Sequence, residues 1–212
     1  MSPRIKKLGR SRTQRTPKQT KAPGKILDRL SPDELAAVLR RLLEKRPALV
    51  EEAEKIAARI ISLPSVDDIA DKVFLAVTSL DMDDLHGRAG RHSWGYVEPS
   101  EAARELLEEA VQDVFDDMKR RRDLGFEAAA EAVCCGIIFG LSRVDDKKPK
   151  GLLKWAVDFP AEHAYFTITE LIGMYPASKR RGVRDRLSAT LNRLAPKWPE
   201  MISRTVRESA DD

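Results

Sequence analysis

YVEPSEAARELLEEAVQDVFDDMKRRRDLGFEAAAEAVCCGIIFGL, residues 96–141, is the stretch that decides the fold. Ala103, Leu106, Leu107, Ala110, Val111, Val114, Phe115 and Met118 recur at intervals of three and four, the spacing of a helix with one buried face. Glu98, Glu101, Glu105, Glu108 and Glu109 gather at its start, and Lys119, Arg120, Arg121 and Arg122 at its end, the distribution a helix macrodipole favours. Asp116 with Arg120 and Asp117 with Arg121 add acid-before-base pairs four residues apart. Gly125 closes this helix. A second opens at Phe126 with the stripe Ala129, Ala130, Val133, Cys134, Ile137, Ile138 and Leu141. Inside it, Gly136 and Gly140 each cost about 1 kcal/mol relative to alanine, so they point to a neighbouring helix packed close against them. Residues 99–143 therefore predict a long antiparallel hairpin at the centre of an all-α protein.

Towards the N-terminus the same periodicity continues. Ser31-Pro32-Asp33-Glu34 reads as a helix start, with Ser as N-cap, Pro at the first helical position and Glu as the capping-box partner. Leu35, Val38, Leu39, Leu42 and Leu43 form its apolar stripe, expected to be buried. Pro47 starts a second helix, with Leu49, Ala53, Ile56, Ala57, Ile60 and Ile61 expected inside, and Ser65 caps a third over Ile69, Val73, Ala76, Val77 and Leu80. Residues 81–98 read as one long irregular loop, with Trp94, Tyr96 and Val97 folding back as anchors. Beyond a polar break at 145–151, short helices follow: one around Leu152, Leu153, Trp155 and Ala156, one from Phe159, one capped by Ser178, and a last one holding Met201, Ile202 and Val206. No apolar–polar alternation survives as a strand. The expectation is about eight helices in antiparallel hairpins, an irregular bundle or α-solenoid-like body over 26–208 as a single domain, with 145–151 as its one candidate subdivision.

Composition sets limits on function. A chain of 212 residues can bury about 70% of its unfolded surface. No run of some 18 apolar residues offers a membrane span, and the N-terminus lacks the apolar core of a secretory signal. Cys134 and Cys135, adjacent on a helix, point in different directions and read as buried thiols of a reducing compartment, hence a cytoplasmic protein, or a nuclear one in a eukaryotic cell. The net charge of +4 hides an asymmetry. Residues 1–25 carry nine Lys or Arg and no acid, with too few apolar side chains to pack, and so are expected to be a disordered basic tail. Residues 178–198 carry seven bases against one acid, whereas the remainder is acidic.

Candidate sites follow from that charge map. Lys179, Arg186 and Arg193 are seven apart and make one basic stripe, with Arg180 and Arg184 on a neighbouring line. Lys179, Arg180 and Arg181 also crowd a helix start, where the dipole disfavours cations unless an anion binds there. Arg88, Arg91 and Trp94 in the 81–98 loop offer a second anion-reading set, although Gly87–Arg91 lacks the strand, helix and Gly-Lys-Ser/Thr of a phosphate loop. His86 and His92, near Asp81, Asp83 and Asp84, match no zinc or calcium spacing. No Gly-x-Ser-x-Gly or Cys–His arrangement supports nucleophilic catalysis. The sequence thus predicts a non-enzymatic helical interaction or scaffold protein, without cofactor or metal, whose basic tail and basic late helix dock an acidic macromolecular partner. The alternative is a nucleic-acid-binding protein using residues 1–25 and the 178–198 helix, for which nine tail contacts would give a log–log salt slope of at most about −8. A metal-dependent enzyme centred on His86 and His92 is a weaker third reading.

Overall fold

The computed structural model describes residues 26–93, 95–144 and 148–208. The expected basic tail and Trp94 lie outside these residues. Among them are nine α-helices, three short 3-10 turns and one two-stranded hairpin, an all-α architecture. The chain divides into two compact units, Met1–Ala53 and Glu54–Asp212. The boundary falls inside a helix, and the polar break at 145–151 lies within the second unit. No helix among the described residues is long and apolar enough to cross a membrane.

In the first unit, α1 (Pro32–Lys45) starts as its sequence dictates. The Ser31 hydroxyl accepts from the Glu34 amide at 3.3 Å, and the Glu34 carboxylate accepts from the Ser31 amide at 2.8 Å. A 3-10 turn (Pro47–Leu49) leads into α2 (Val50–Ser62). The expected burial of the α1 stripe is overturned: Leu35, Val38, Leu39 and Leu42 are 42–50% exposed, and α1 contains no buried residue. Within its unit α1 packs chiefly on the Pro47–Leu49 turn, which is too short to cover a four-turn apolar face. In the second unit Ile56 and Ile60 of α2, also expected inside, are exposed as well.

The second unit is built on α6 (Glu127–Ser142), which is buried over most of its surface from Ala129 onward and carries no charge after Glu131. A helix that is apolar all round needs neighbours all round, and α6 has them: α3 (Val66–Ser79), α5 (Pro99–Asp123), α7 (Phe159–Gly173) and α8 (Ala177–Leu194). The expected hairpin is α5 and α6. Its turn is a Schellman closure: Gly125 adopts φ +84°, its amide reaches Arg122 O at 3.0 Å, and the Phe126 amide reaches Arg121 O at 2.9 Å. Gly136 and Gly140 face α3 so closely that an added Cβ would lie 2.6 Å from Ile69 Cγ2 and 2.6 Å from Ala70 O respectively. Of the two acid–base pairs expected on α5, Asp117–Arg121 forms at 2.7 Å, whereas Asp116 instead accepts from Gln112.

The 81–98 stretch is not irregular. Asp81 caps a short helix, α4 (Met82–Arg88), by accepting from the Asp83 and Asp84 amides, while the Asp84 carboxylate accepts from the Asp81 amide at 2.8 Å. Strands β1 (Gly90–His92) and β2 (Gly95–Val97) then pair antiparallel, with Gly90 at φ +104°. Val97 packs on the core, but Tyr96 is 62% exposed and does not anchor the hairpin. Residues Gly151–Lys154 form a 3-10 turn rather than an α-helix, burying Leu152 and Leu153 and leaving Trp155 exposed. A final helix, α9 (Pro199–Glu208), closes the unit against α7 and α8 through Ile202 and Val206.

Candidate functional site

The cations of α8 are the first place to look, and the structure ties several of them down internally. Ser178 does not cap the helix; α8 starts at Ala177 behind Pro176 with no side-chain cap. The crowded first turn is instead put to use on the preceding helix end. Arg180 Nε donates to Tyr175 O at 2.9 Å, and Arg122, from α5, donates to Met174 O at 2.8 Å, so two guanidinium groups satisfy carbonyls at the C-terminus of α7. Lys179 Nζ meets Glu127 at 3.0 Å, and Arg186 grips Glu131 with Nε at 3.0 Å and a second nitrogen at 2.5 Å. Glu131 also accepts from the Tyr175 hydroxyl at 3.3 Å, and burial beside these acids pushes the Tyr175 phenol upward. Arg184 folds back on Arg180 O. Arg181 and Arg193 are exposed and make no ion pair among the described residues. Two of the three cations of the basic stripe, Lys179 and Arg186, are therefore neutralised by α6.

Arg88 is likewise spent: it pairs with Glu105 at 3.0 Å and with both oxygens of Glu109 at 2.8 Å, which fastens α4 to α5. Arg91 is exposed on β1, so the structure separates it from Arg88 in role. His92 bonds Arg88 O through a ring nitrogen at 2.7 Å, and His86 is exposed on α4. Among the described residues no three His, Cys, Asp or Glu side chains converge in a way that would hold a metal ion. Cys134 and Cys135 are free and buried; burial raises both thiols, Cys135 to about 12, which keeps them protonated and unreactive.

What the sequence did not mark as a site is the α1 face. Leu35, Val38, Leu39 and Leu42 lie along one side of a capped, regular helix, and beside Val38 and Leu42 runs a shallow groove of ≈360 Å³ whose border is Arg41 and Lys45. Neither cation has an ion-pair partner among the described residues. Exposed apolar strips with a polar border mark docking surfaces, and four large side chains at helical spacing suit a second amphipathic helix. Neither a family model, a curated protein nor a solved structure matches the chain significantly.

Proposed function

We propose that this protein is a non-enzymatic interaction protein whose α1 docks an acidic amphipathic helix of a partner protein. The observation that carries this reading is the exposed Leu35–Val38–Leu39–Leu42 strip, edged by Arg41 and Lys45, which have no ion-pair partner among the described residues. A partner helix laying its own apolar residues on this strip would bring its flanking carboxylates onto those cations. Acidic flanks gain there and basic flanks are repelled, so charge selects the partner more than it strengthens the complex. Residues 1–25, with nine bases and no acid, add charge of the same sign to the same partner. On α8 of the second unit, Lys179 and Arg186 serve the fold, and Arg181 and Arg193 are exposed. No chemistry is placed in the protein, and its setting is a soluble one shared with that partner.

The test uses the full chain and a labelled synthetic helix with leucine at helical spacing and glutamate elsewhere, against a lysine counterpart. We expect the glutamate peptide to bind, the lysine peptide to fail, and Leu39→Asp with Leu42→Asp to abolish binding. No binding of the glutamate peptide rejects the reading. Concentration-dependent self-association abolished by the same substitutions would name a second copy as the occupant and reject it too. Tight, salt-sensitive capture of labelled duplex or single-stranded nucleic acid, lost on Arg181→Glu with Arg193→Glu, would favour nucleic-acid binding instead.

A further inference from the structure

A second site lies in the second unit. Helices α5 and α7 diverge to leave a cleft of ≈520 Å³, within the range that binds small organic molecules. Four of its nine lining side chains are aromatic rings, arranged as two stacked pairs. Phe115 lies on Phe166 with centroids 5.4 Å apart, and Phe159 lies on His163 at 5.1 Å. Phe166 is 48% exposed although it belongs to this cluster, so a large π surface faces the opening.

The charges around the cleft decide what fits. Arg104 of α5 pairs with Glu162 of α7 at 2.5 Å, and Lys119 of α5 pairs with Glu170 of α7 at 2.7 Å. These two straps cross between the helices, and in each the cation and the carboxylate neutralise one another. Glu108 remains, exposed on the lining and held in no ion pair among the described residues. His163 adds no positive charge: burial drops its imidazole to about 4, and its Nε2 is buried with no hydrogen-bond partner among the described residues. The cleft therefore offers an exposed aromatic face and, in Glu108, a carboxylate held in no ion pair among the described residues, although its charge is felt by Arg104. Phe115 already accepts an ammonium in this way, with Lys119 Nζ 4.6 Å from its ring centroid.

We propose that this cleft is a binding site for a small organic cation, a protonated or quaternary amine carried on an apolar or aromatic body. The ammonium sits against the exposed face of Phe166, since Phe115 is covered by Phe166 and Lys119, with Glu108 as counter-charge, and the apolar body fills the space towards Phe159 and His163. An organic anion of the same shape meets Glu108 with the wrong sign and finds Arg104 and Lys119 already engaged. The site is independent of the α1 docking reading, since it uses other residues and another class of ligand.

The experiment is a titration of the full-length chain with phenethylammonium, followed by backbone amide shifts, with phenylacetate as the matched anion. We expect saturable binding of the cation in the millimolar range, with shifts confined to α5 and α7, and phenylacetate at least about tenfold weaker. Glu108→Gln and Phe166→Leu, both at exposed positions and checked for an unchanged melting temperature, should each weaken the cation about three- to tenfold. Equal binding of cation and anion, indifference to Glu108→Gln, or no saturable shift up to about 10 mM would overturn the proposal.

Discussion

Gly140 on α6 lies so near Ala70 on α3 that a Cβ there would sit 2.6 Å from the Ala70 carbonyl oxygen. A Cβ on Gly136 would sit 2.6 Å from Ile69 Cγ2. The two positions differ in what must give way, a backbone group in the first case and a side chain in the second. We expect Gly140→Ala to destabilise by about 2–3 kcal/mol and Gly136→Ala by somewhat less, despite the helix propensity each substitution gains. Gly173, at the end of α7 with open space around it, is the control: Gly173→Ala should be neutral or stabilise by up to about 1 kcal/mol. Denaturant unfolding of the three variants decides the matter. A Gly140→Ala protein as stable as the parent would mean that α3 and α6 are not in this contact.

This contact is legible in the sequence because two glycines four apart weaken an apolar helix unless a neighbouring backbone presses against them. The hairpin is legible too, since stripes on two long helices leave little freedom in how they pack. The α1 stripe is just as clear a pattern, yet its burial does not follow from it. Amphipathic spacing states which face would be covered; it does not state that anything covers it. The α4 helix escapes a sequence reading because Asp84 fills the capping-box role usually taken by Glu or Gln. The hairpin after it escapes because each strand has three residues, too few for alternation to show. On α8 the cations are visible but their fate is not, since Glu127 and Glu131 lie 52 and 55 residues earlier and no local spacing links them. The cleft residues Phe159, His163 and Phe166 do fall at i, i+4, i+7, a signal present in the sequence whose meaning required Phe115 on another helix.

The exposed strip of α1 makes a second expectation. Leu39→Gln with Leu42→Gln should cost no more than about 1 kcal/mol, because about half of each side chain is already in water. Leu107→Ala, in a fully buried site of α5, should cost about 2–5 kcal/mol. Thermal unfolding of both variants beside the parent checks this. A loss for the α1 pair comparable to Leu107→Ala would show that the strip is covered in solution.

At the junction of α6, α7 and α8, Arg186 and Glu131 form the ion pair whose acid side is sheltered, with 13% of the Glu131 side chain exposed. The Lys179–Glu127 pair one turn away is open to solvent on both sides. A double-mutant cycle on Arg186→Gln and Glu131→Gln should return a coupling of about 1–2 kcal/mol that persists at high salt. The Lys179–Glu127 cycle should return less and lose it as salt is raised. If the two cycles agree in size and salt response, Glu131 is not acting as the anchor of α8.

His163 gives the chain a pH dependence whose sign can be worked out. Its imidazole is held at about 4 by burial among Phe115, Phe159 and Phe166, against about 6.5 when unfolded. Between those values the unfolded chain carries a proton at this position and the folded chain does not. Stability therefore rises with pH through this window. It is fully present above about 6.5 and is lost as pH falls towards about 4, at no more than about 1.4 kcal/mol per pH unit. The groups packed nearest are the three phenylalanines, with Arg104, Lys119, Glu108 and Glu162 around the cleft. Subtracting a His163→Phe variant isolates the imidazole, since phenylalanine keeps the ring stack and cannot charge. We expect the parent to lose stability relative to this variant between about pH 6.5 and 4.5, and the two to run parallel above about pH 7. Parallel curves across the whole range would mean that the imidazole protonates freely in the folded protein, and that the α5–α7 cleft is wetter than its aromatic walls imply.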